Sequence, residues 1–261
     1  MEIIDFHTHI FPDPIAHKAT DSIRDFYRID GDHMDGTAET LLKKHQQAGI
    51  SRQVILPVAI HANQVSHINN FVLEQAACHS SFIPFGALHA GMDHPEKELE
   101  RILAAGVKGV KLHPDFSRFP IDDLRLFPMY EAVRGRLPLL IHMGDDRYNY
   151  SHPIRLRRIL ELFPGLQVIA AHFGGHTMYD VAYTHLHDTS CFFDISSCLM
   201  FMDKATAKQY ISMYGAERLV FGTDYPLWDP VNEVQRFMEL DLPEKQAAQI
   251  ANKTARHILK L

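Results

Sequence analysis

Five places in this chain of 261 residues set an imidazole, carboxylate or ammonium group at the end of a short apolar run. The first reads Ile3-Ile4-Asp5-Phe6-His7-Thr8-His9. Side chains alternate along a strand, so His7 and His9 share one face. Two imidazoles on a rigid strand can hold a divalent metal. The other four are Lys111-Leu112-His113, Ile141-His142, Ala171-His172 and Gly222-Thr223-Asp224. Spacing alone is a poor guide. With 18 histidines in the chain, chance supplies roughly one His-x-His. A decoy exists in His185-Leu186-His187, inside a segment of helical spacing where an i, i+2 pair diverges. A single polar residue at a strand tip ordinarily reads as a hydrogen-bonded core residue. Several converging on one place are hard to explain by packing, because each buried polar group needs a partner.

The elements that must position these groups alternate from end to end. Short apolar runs occupy 3–7, 53–58, 83–88, 109–112, 137–141, 167–171, 191–195 and 219–221. Most are apolar on both faces, as suits parallel strands covered by helices. Between them, 40–48, 68–79, 96–105, 124–135, 153–163, 177–187, 204–214 and 232–240 place apolar residues three to four apart, and a ninth helical stretch, 243–259, closes the chain. Eight strand-helix pairs predict an α/β fold, a (β/α)8 TIM barrel forming a single domain over residues 1–261. An open doubly wound sheet would carry a Gly-rich loop after its first strand, where this chain has His-Thr-His-Ile-Phe-Pro. Residues 10–36 show no clear helix or strand, so a long loop after strand 1 is expected there, with the role of a lid.

Composition narrows the partners. Hydrophobic content of 46% and charged content of 22% are globular values, and a net charge of −6 with both signs interspersed argues against nucleic acid or an anionic membrane as partner. Cys78, Cys191 and Cys198 lack metal-knuckle spacing and read as reduced thiols of a cytoplasmic protein. No basic segment precedes an apolar stretch at the N-terminus, and no run approaches membrane-spanning length. The expected partner is a small-molecule substrate.

In a barrel of this kind chemistry sits at the C-terminal ends of the strands, and all five groups fall there. At this point the chain resembles a known family. Asp5-x-His7-x-His9-x-x-Pro12, Ile141-His142-x-Gly144, Ala171-His172-x-Gly174-Gly175 and Gly222-Thr223-Asp224-Tyr225-Pro226 look like the amidohydrolase superfamily. The nearest branch is the amidohydrolase-related one, which includes aminocarboxymuconate-semialdehyde decarboxylase and γ-resorcylate decarboxylase. The resemblance covers nearly the whole chain, including Asn252-x-x-Ala255-Arg256 in the last helix. It implies one divalent metal ion with His7, His9, His142 and Asp224 as ligands, Zn²⁺ first and Mn²⁺ as the alternative. The bare residues allow the same set, since three imidazoles and a carboxylate suit a borderline metal with an open position for water. Relatives commonly pair, so a homodimer is compatible with the resemblance.

In this reading Asp224 binds the metal or takes a proton from water, and His172 polarises or protonates the reacting group. Lys111 shares a strand face with His113. Some superfamily branches carbamylate such a lysine to bridge two metals, but pairing with a substrate carboxylate or with Asp224 is the preferred role here. His113, His61, His89 and Arg147 complete the candidate substrate-binding set, Arg147 by its two-pronged geometry. Trp228, close after Asp224, is expected in the pocket wall. The leading expectation is a metal-dependent hydrolase acting on a lactone, ester or amide. The alternative is a decarboxylase, a carbon–carbon lyase, of an aromatic or unsaturated acid at the same residues. A non-catalytic binding barrel would be expected to have lost ligands, and none is missing.

Overall fold

Eight parallel strands pair in sequence order in the computed structural model, which describes residues 1–261. They are β1 Ile3–Thr8, β2 Ile50–Ile55, β3 Phe82–Ala87, β4 Gly109–Leu112, β5 Leu139–Ile141, β6 Val168–Ala170, β7 Phe192–Asp194 and β8 Leu219–Val220. The eighth strand returns to the first. Phe6 N–H donates to Phe221 O and Asp224 N–H to His7 O, both at 2.8 Å, and a parallel bridge joins Thr8 to Tyr225. The architecture is the expected (β/α)8 barrel.

Alternation along the strands builds two apolar layers. Val110, Leu112, Leu139, Ile141, Val168 and Ala170 face outward into the core beneath the helices. Ile4, Phe6, Val54, Leu56, Ile83, Phe85, Leu140, Ile169 and Val220 fill the interior, where the Phe6 and Phe85 rings meet edge to face at 5.9 Å. Both faces of each strand are thus dry, which explains the continuous apolar runs. The expected second strand, 53–58, begins and ends three residues earlier. Its last residues leave the ladder to form the barrel mouth, and Val58 lines a cavity there.

The outer ring comprises α1 Asp13–Tyr27, α2 Ala38–Ala48, α3 Val65–Cys78, α4 Pro95–Ala104, the single turn α5 Pro114–Ser117, α6 Phe127–Val133, α7 Pro153–Leu162, α8 Tyr179–Leu186, α9 Lys204–Tyr214 and α10 Pro230–Met238. Side-chain caps start several of them: Thr37 for α2, Asp203 for α9 and Asp229 for α10 each accept a backbone N–H of the first turn. The closing segment is α11 Glu244–Ala248 and α12 Thr254–Leu259, joined by a π-helical turn at Gln249–Lys253. That wide turn lets Ile250 O accept Phe221 N–H at 3.0 Å. Arg256 pairs with both Glu2 carboxylate oxygens, and Asn252 donates to Glu2 O. These contacts hold α12 across the N-terminal end of the barrel, where Ala255, Ile258 and Leu259 join the interior cluster.

The segment 10–36 corrects the sequence expectation of a long loop. It contains α1, a 15-residue helix with Pro12 at its N-cap, Asp13 in its first turn and Arg28 in left-handed geometry at its end. Ile15, Ala19, Ile23, Phe26 and Tyr27 recur at helical spacing, but they line a cavity instead of entering the core, and only Ala16 and Thr20 are buried. Polar Lys18 and Ser22 interrupt the same lining. The helical spacing of these apolar residues is present in the sequence, with Pro12 and Asp13 as start signals, so the segment was legible as an amphipathic helix.

Gly144, in the Ile-His-x-Gly stretch after β5, has φ +93, and a Cβ there would lie 2.2 Å from His176 N. Gly49 also has positive φ (+72), but a Cβ would meet nothing within 4 Å. Gly49→Ala is expected to cost about 1 kcal/mol from backbone strain alone. Gly144→Ala should cost about 3 kcal/mol or more, because backbone must also move. Urea denaturation of the two variants checks the difference.

Candidate functional site

His7 and His9 leave β1 with their Nε2 atoms 3.2 Å apart, and each lies 3.5 Å from Asp224 Oδ1. The far side of each ring is committed. His7 Nδ1–H donates to Asp194 Oδ2 at 2.8 Å, and His9 Nδ1–H donates to Leu56 O at 2.7 Å. Both Nε2 atoms therefore present lone pairs to each other and to a carboxylate oxygen. Three acceptors face inward with no proton of their own to share, an arrangement that calls for a cation. A metal about 2.1 Å from each ligand atom would separate ligands by roughly 3.0–3.4 Å, so the spacing fits a divalent ion. Of the four ligands expected, the structure brings these three together. His142 falls instead into a neighbouring group with His113 and Asp115.

Buried groups around the trio set its charge state. Burial, then the Lys111 ammonium, push His7 down to about 4 against the pull of Asp194 and Asp224, which keeps the imidazole neutral and its lone pair available near pH 7. Burial tends to raise Asp224, but His7 and His9 beside it, with His172, hold it well below the usual carboxylate range. Asp194 behaves alike: burial is outweighed by His7, by His172 and by the Ser196 hydrogen bond. Lys111 is drawn down to about 8 by burial, with Asp194 and Asp224 opposing. Its Nζ donates to His7 Nε2 at 3.2 Å. It is buried and is not among the cavity-lining residues.

A second set of imidazoles forms a directed chain. Phe116 N–H donates to His113 Nδ1 at 3.4 Å, which leaves Nε2–H to donate to Tyr27 Oη at 3.0 Å. Tyr27 O–H donates to His142 Nε2 at 3.2 Å, His142 Nδ1–H to His172 Nε2 at 3.1 Å, and His172 Nδ1–H to Ser196 O at 2.9 Å. One end is a backbone donor and the other a backbone acceptor, so the direction of every bond between them follows. Burial holds His113 and His142 well below the ordinary imidazole range, consistent with neutral rings at these two positions.

These groups floor a cavity of about 860 Å³. His7, His9, His113, His142, His172 and Asp224 line it, and α1 roofs it with Ile15, Ile23, Phe26 and Tyr27. Phe116, Phe119 and Leu227 add to a mainly apolar wall.

The remaining candidates are placed as follows. His61 is exposed at the mouth. His89 also lines the cavity, but its Nδ1 accepts Gly91 N–H and its Nε2–H donates to Ile60 O, so both nitrogens serve the loop. Arg147 lies outside the lining: it grips Asp145 with two nitrogens and donates to Phe26 O at 2.6 Å. It latches the end of α1 and has no free face for a substrate carboxylate. Trp228 likewise is absent from the wall. Its Nε1–H donates to Ser197 Oγ, whose hydroxyl donates to Asp224 Oδ2 at 2.5 Å.

Sequence reasoning missed Asp194, Ser196, Ser197 and Tyr27. Asp194 carried a signal, a lone carboxylate ending the apolar run Phe192-Phe193, as the other tip residues do. Tyr27 carried none, because its role depends on where α1 comes to rest.

A family model described as amidohydrolase matches residues 4–261. No curated protein sequence matches the chain. Among solved structures, an uncharacterized TIM-barrel protein from Bordetella bronchiseptica superposes with a TM-score of 0.83 at 20% identity, over 100% of this chain and 99% of that one. A 2,6-dihydroxybenzoate decarboxylase complexed with 2,6-dihydroxybenzoate gives 0.81 at 16% identity, over 100% of both chains. A dihydroxybenzoic acid decarboxylase from a Polaromonas species, with bound manganese and the inhibitor 2-nitroresorcinol, gives 0.78 at 16%, over 100% and 97%. At these identities the likeness is one of fold.

Asp194→Asn keeps the shape of the His7 partner and removes its charge. It is expected to weaken divalent-metal binding by about 10–100-fold, as loss of a ligand's hydrogen-bond partner does. Competition against a chromophoric chelator measures it, with Asp224→Ala as the deeper loss.

Proposed function

Because this chain belongs to the amidohydrolase family, matched from residue 4 to residue 261, we propose that it is a metal-dependent decarboxylase of an aromatic or unsaturated carboxylic acid. His7, His9 and Asp224 would hold one divalent ion, Zn²⁺ or Mn²⁺, which when bound supplies a Lewis acid toward the substrate's oxygen atoms.

The state of Asp224 carries this reading over hydrolysis. Hydrolysis needs a base with a free oxygen or nitrogen to take a proton from water. Asp224 Oδ1 is turned to the two imidazoles and Oδ2 already accepts the Ser197 hydroxyl. Decarboxylation activates no water. It exchanges a C–C bond for a C–H bond: the bonding pair stays on the substrate carbon, carbon dioxide departs and one proton enters.

The chain's residues divide the remaining work. The Phe26, Phe116 and Phe119 rings offer flat apolar surface to a planar acid and exclude water from it. His172 is assigned the delivery of the proton. Its Nδ1–H is anchored on Ser196 O and its Nε2 accepts His142 Nδ1–H, so the proton it delivers is the one passed to Nε2 from His142, which is resupplied through Tyr27 and His113. Support comes also from the two similarly folded enzymes named as dihydroxybenzoate decarboxylases, one of them with bound manganese.

Carbon dioxide release from hydroxybenzoates and unsaturated acids, assayed beside hydrolysis of lactones and amides, tests the proposal. The expected outcome is carbon dioxide release that chelation abolishes and added Mn²⁺ or Zn²⁺ restores. His172→Ala should retain metal and lose about 10²–10⁴-fold in kcat. Hydrolysis without carbon dioxide release would overturn the reading.

A further inference from the structure

His7 has a single lone pair to give. Its Nδ1–H is spent on Asp194 Oδ2 at 2.8 Å, so Nε2 carries the only remaining acceptor site. Two claimants meet there. One is the cation that the inward-facing acceptors of His7, His9 and Asp224 call for. The other is already present: Lys111 Nζ donates to His7 Nε2 at 3.2 Å. A lone pair that accepts an N–H cannot at the same time bind a metal, so the two are exclusive.

The position of Lys111 is built, not incidental. It stands on β4 between Val110 and Leu112, both packed in the outer core, so strand alternation drives its side chain into the barrel. It is one of the largest fully buried side chains in the molecule. Its ammonium has three hydrogens and makes one hydrogen bond, to His7. No carboxylate oxygen forms an ion pair with it within 4.0 Å, although the buried carboxylates Asp194 and Asp224 flank His7 on its two nitrogen sides. A buried ammonium aimed at an imidazole ligand, and not at a carboxylate, is placed to stand in for a cation at that ligand.

We propose that Lys111 is an internal cation that holds the His7 lone pair in the metal-free protein, so that loading exchanges one cation for another and Lys111 sets the metal affinity. Lys111 is thus a positioning residue. This inference rests on the metal-binding part of the proposed function and is independent of which reaction follows.

The test is titration of Zn²⁺ and of Mn²⁺ into metal-free wild type, Lys111→Met and Lys111→Gln, read by competition with a chromophoric chelator, with circular dichroism as the check on folding. Lys111→Met removes the competing donor and should bind metal about tenfold or more tightly, the scale of a hydrogen bond to a charged group. Its metal-free form should melt lower than the wild type, because two buried carboxylates lose their cation, and the gap between metal-free and loaded melting temperatures should widen. Lys111→Gln, a neutral donor, should fall between and keeps the test open if the Met variant does not fold. Equal or weaker metal binding by the folded variants overturns the proposal. So does a lysine carbamate on Lys111 with two metals per chain in the native mass spectrum, which would make it a ligand. A wild-type protein that binds no metal would instead overturn the metal reading itself.

Discussion

One buried carboxylate organises the ends of three strands. Asp194, last residue of β7, takes the His7 Nδ1–H with one oxygen, and with the other accepts His172 N–H, Ser196 N–H and the Ser196 hydroxyl. That set of bonds chooses the His7 tautomer, so the lone pair on Nε2 points into the barrel mouth. It also places the backbone at His172 and, through Ser196 O, the His172 ring. An ionised carboxylate without such partners could not remain in a dry barrel. The imidazoles on β1, the histidine after β6 and the turn after β7 are therefore one electrostatic unit.

The same unit explains why so many unusual backbone conformations gather at this end. His172, Phe173, Ser197, Asp224 and Asp145 all have positive φ. Left-handed geometry is costly for residues with a Cβ and persists only where the surroundings over-determine it. Here the surroundings are hydrogen bonds to Asp194 and a closely packed mouth. Gly222 belongs to that packing: a Cβ there would lie 2.9 Å from the His7 Cβ and 3.0 Å from the Ser196 Cβ. The strand ends are held by mutual contacts between residues far apart in sequence.

Helix α1 closes the other side by different physics. It contributes cavity wall more than core, and is retained by Arg147, whose guanidinium bonds Phe26 O and stacks over the Phe26 and Tyr148 rings. Its last residue, Tyr27, then completes the chain of imidazoles from His113 to His172. The roof and the floor of the cavity are thereby joined through one phenol hydroxyl.

The barrel and most of its polar strand ends were legible in the sequence because they rest on local periodicity. Runs apolar on both faces announce parallel strands, and a His or Asp closing such a run announces a residue at the mouth. His7, His9 and Asp224, three of the four residues that the family resemblance offered as ligands, lie together at the mouth. What periodicity cannot carry is the direction of a side chain whose partner lies on another strand. His142 shares its strand-end position with these three, yet it turns to Tyr27 and His172. Lys111 turns to His7, and Arg147 spends its charge on Asp145 and a helix end. Hydrogen bonding and charge pairing between distant segments exist only once the barrel has closed. The sequence determined which chemical groups stand at the mouth; tertiary structure decided which of their lone pairs and protons remained free to act.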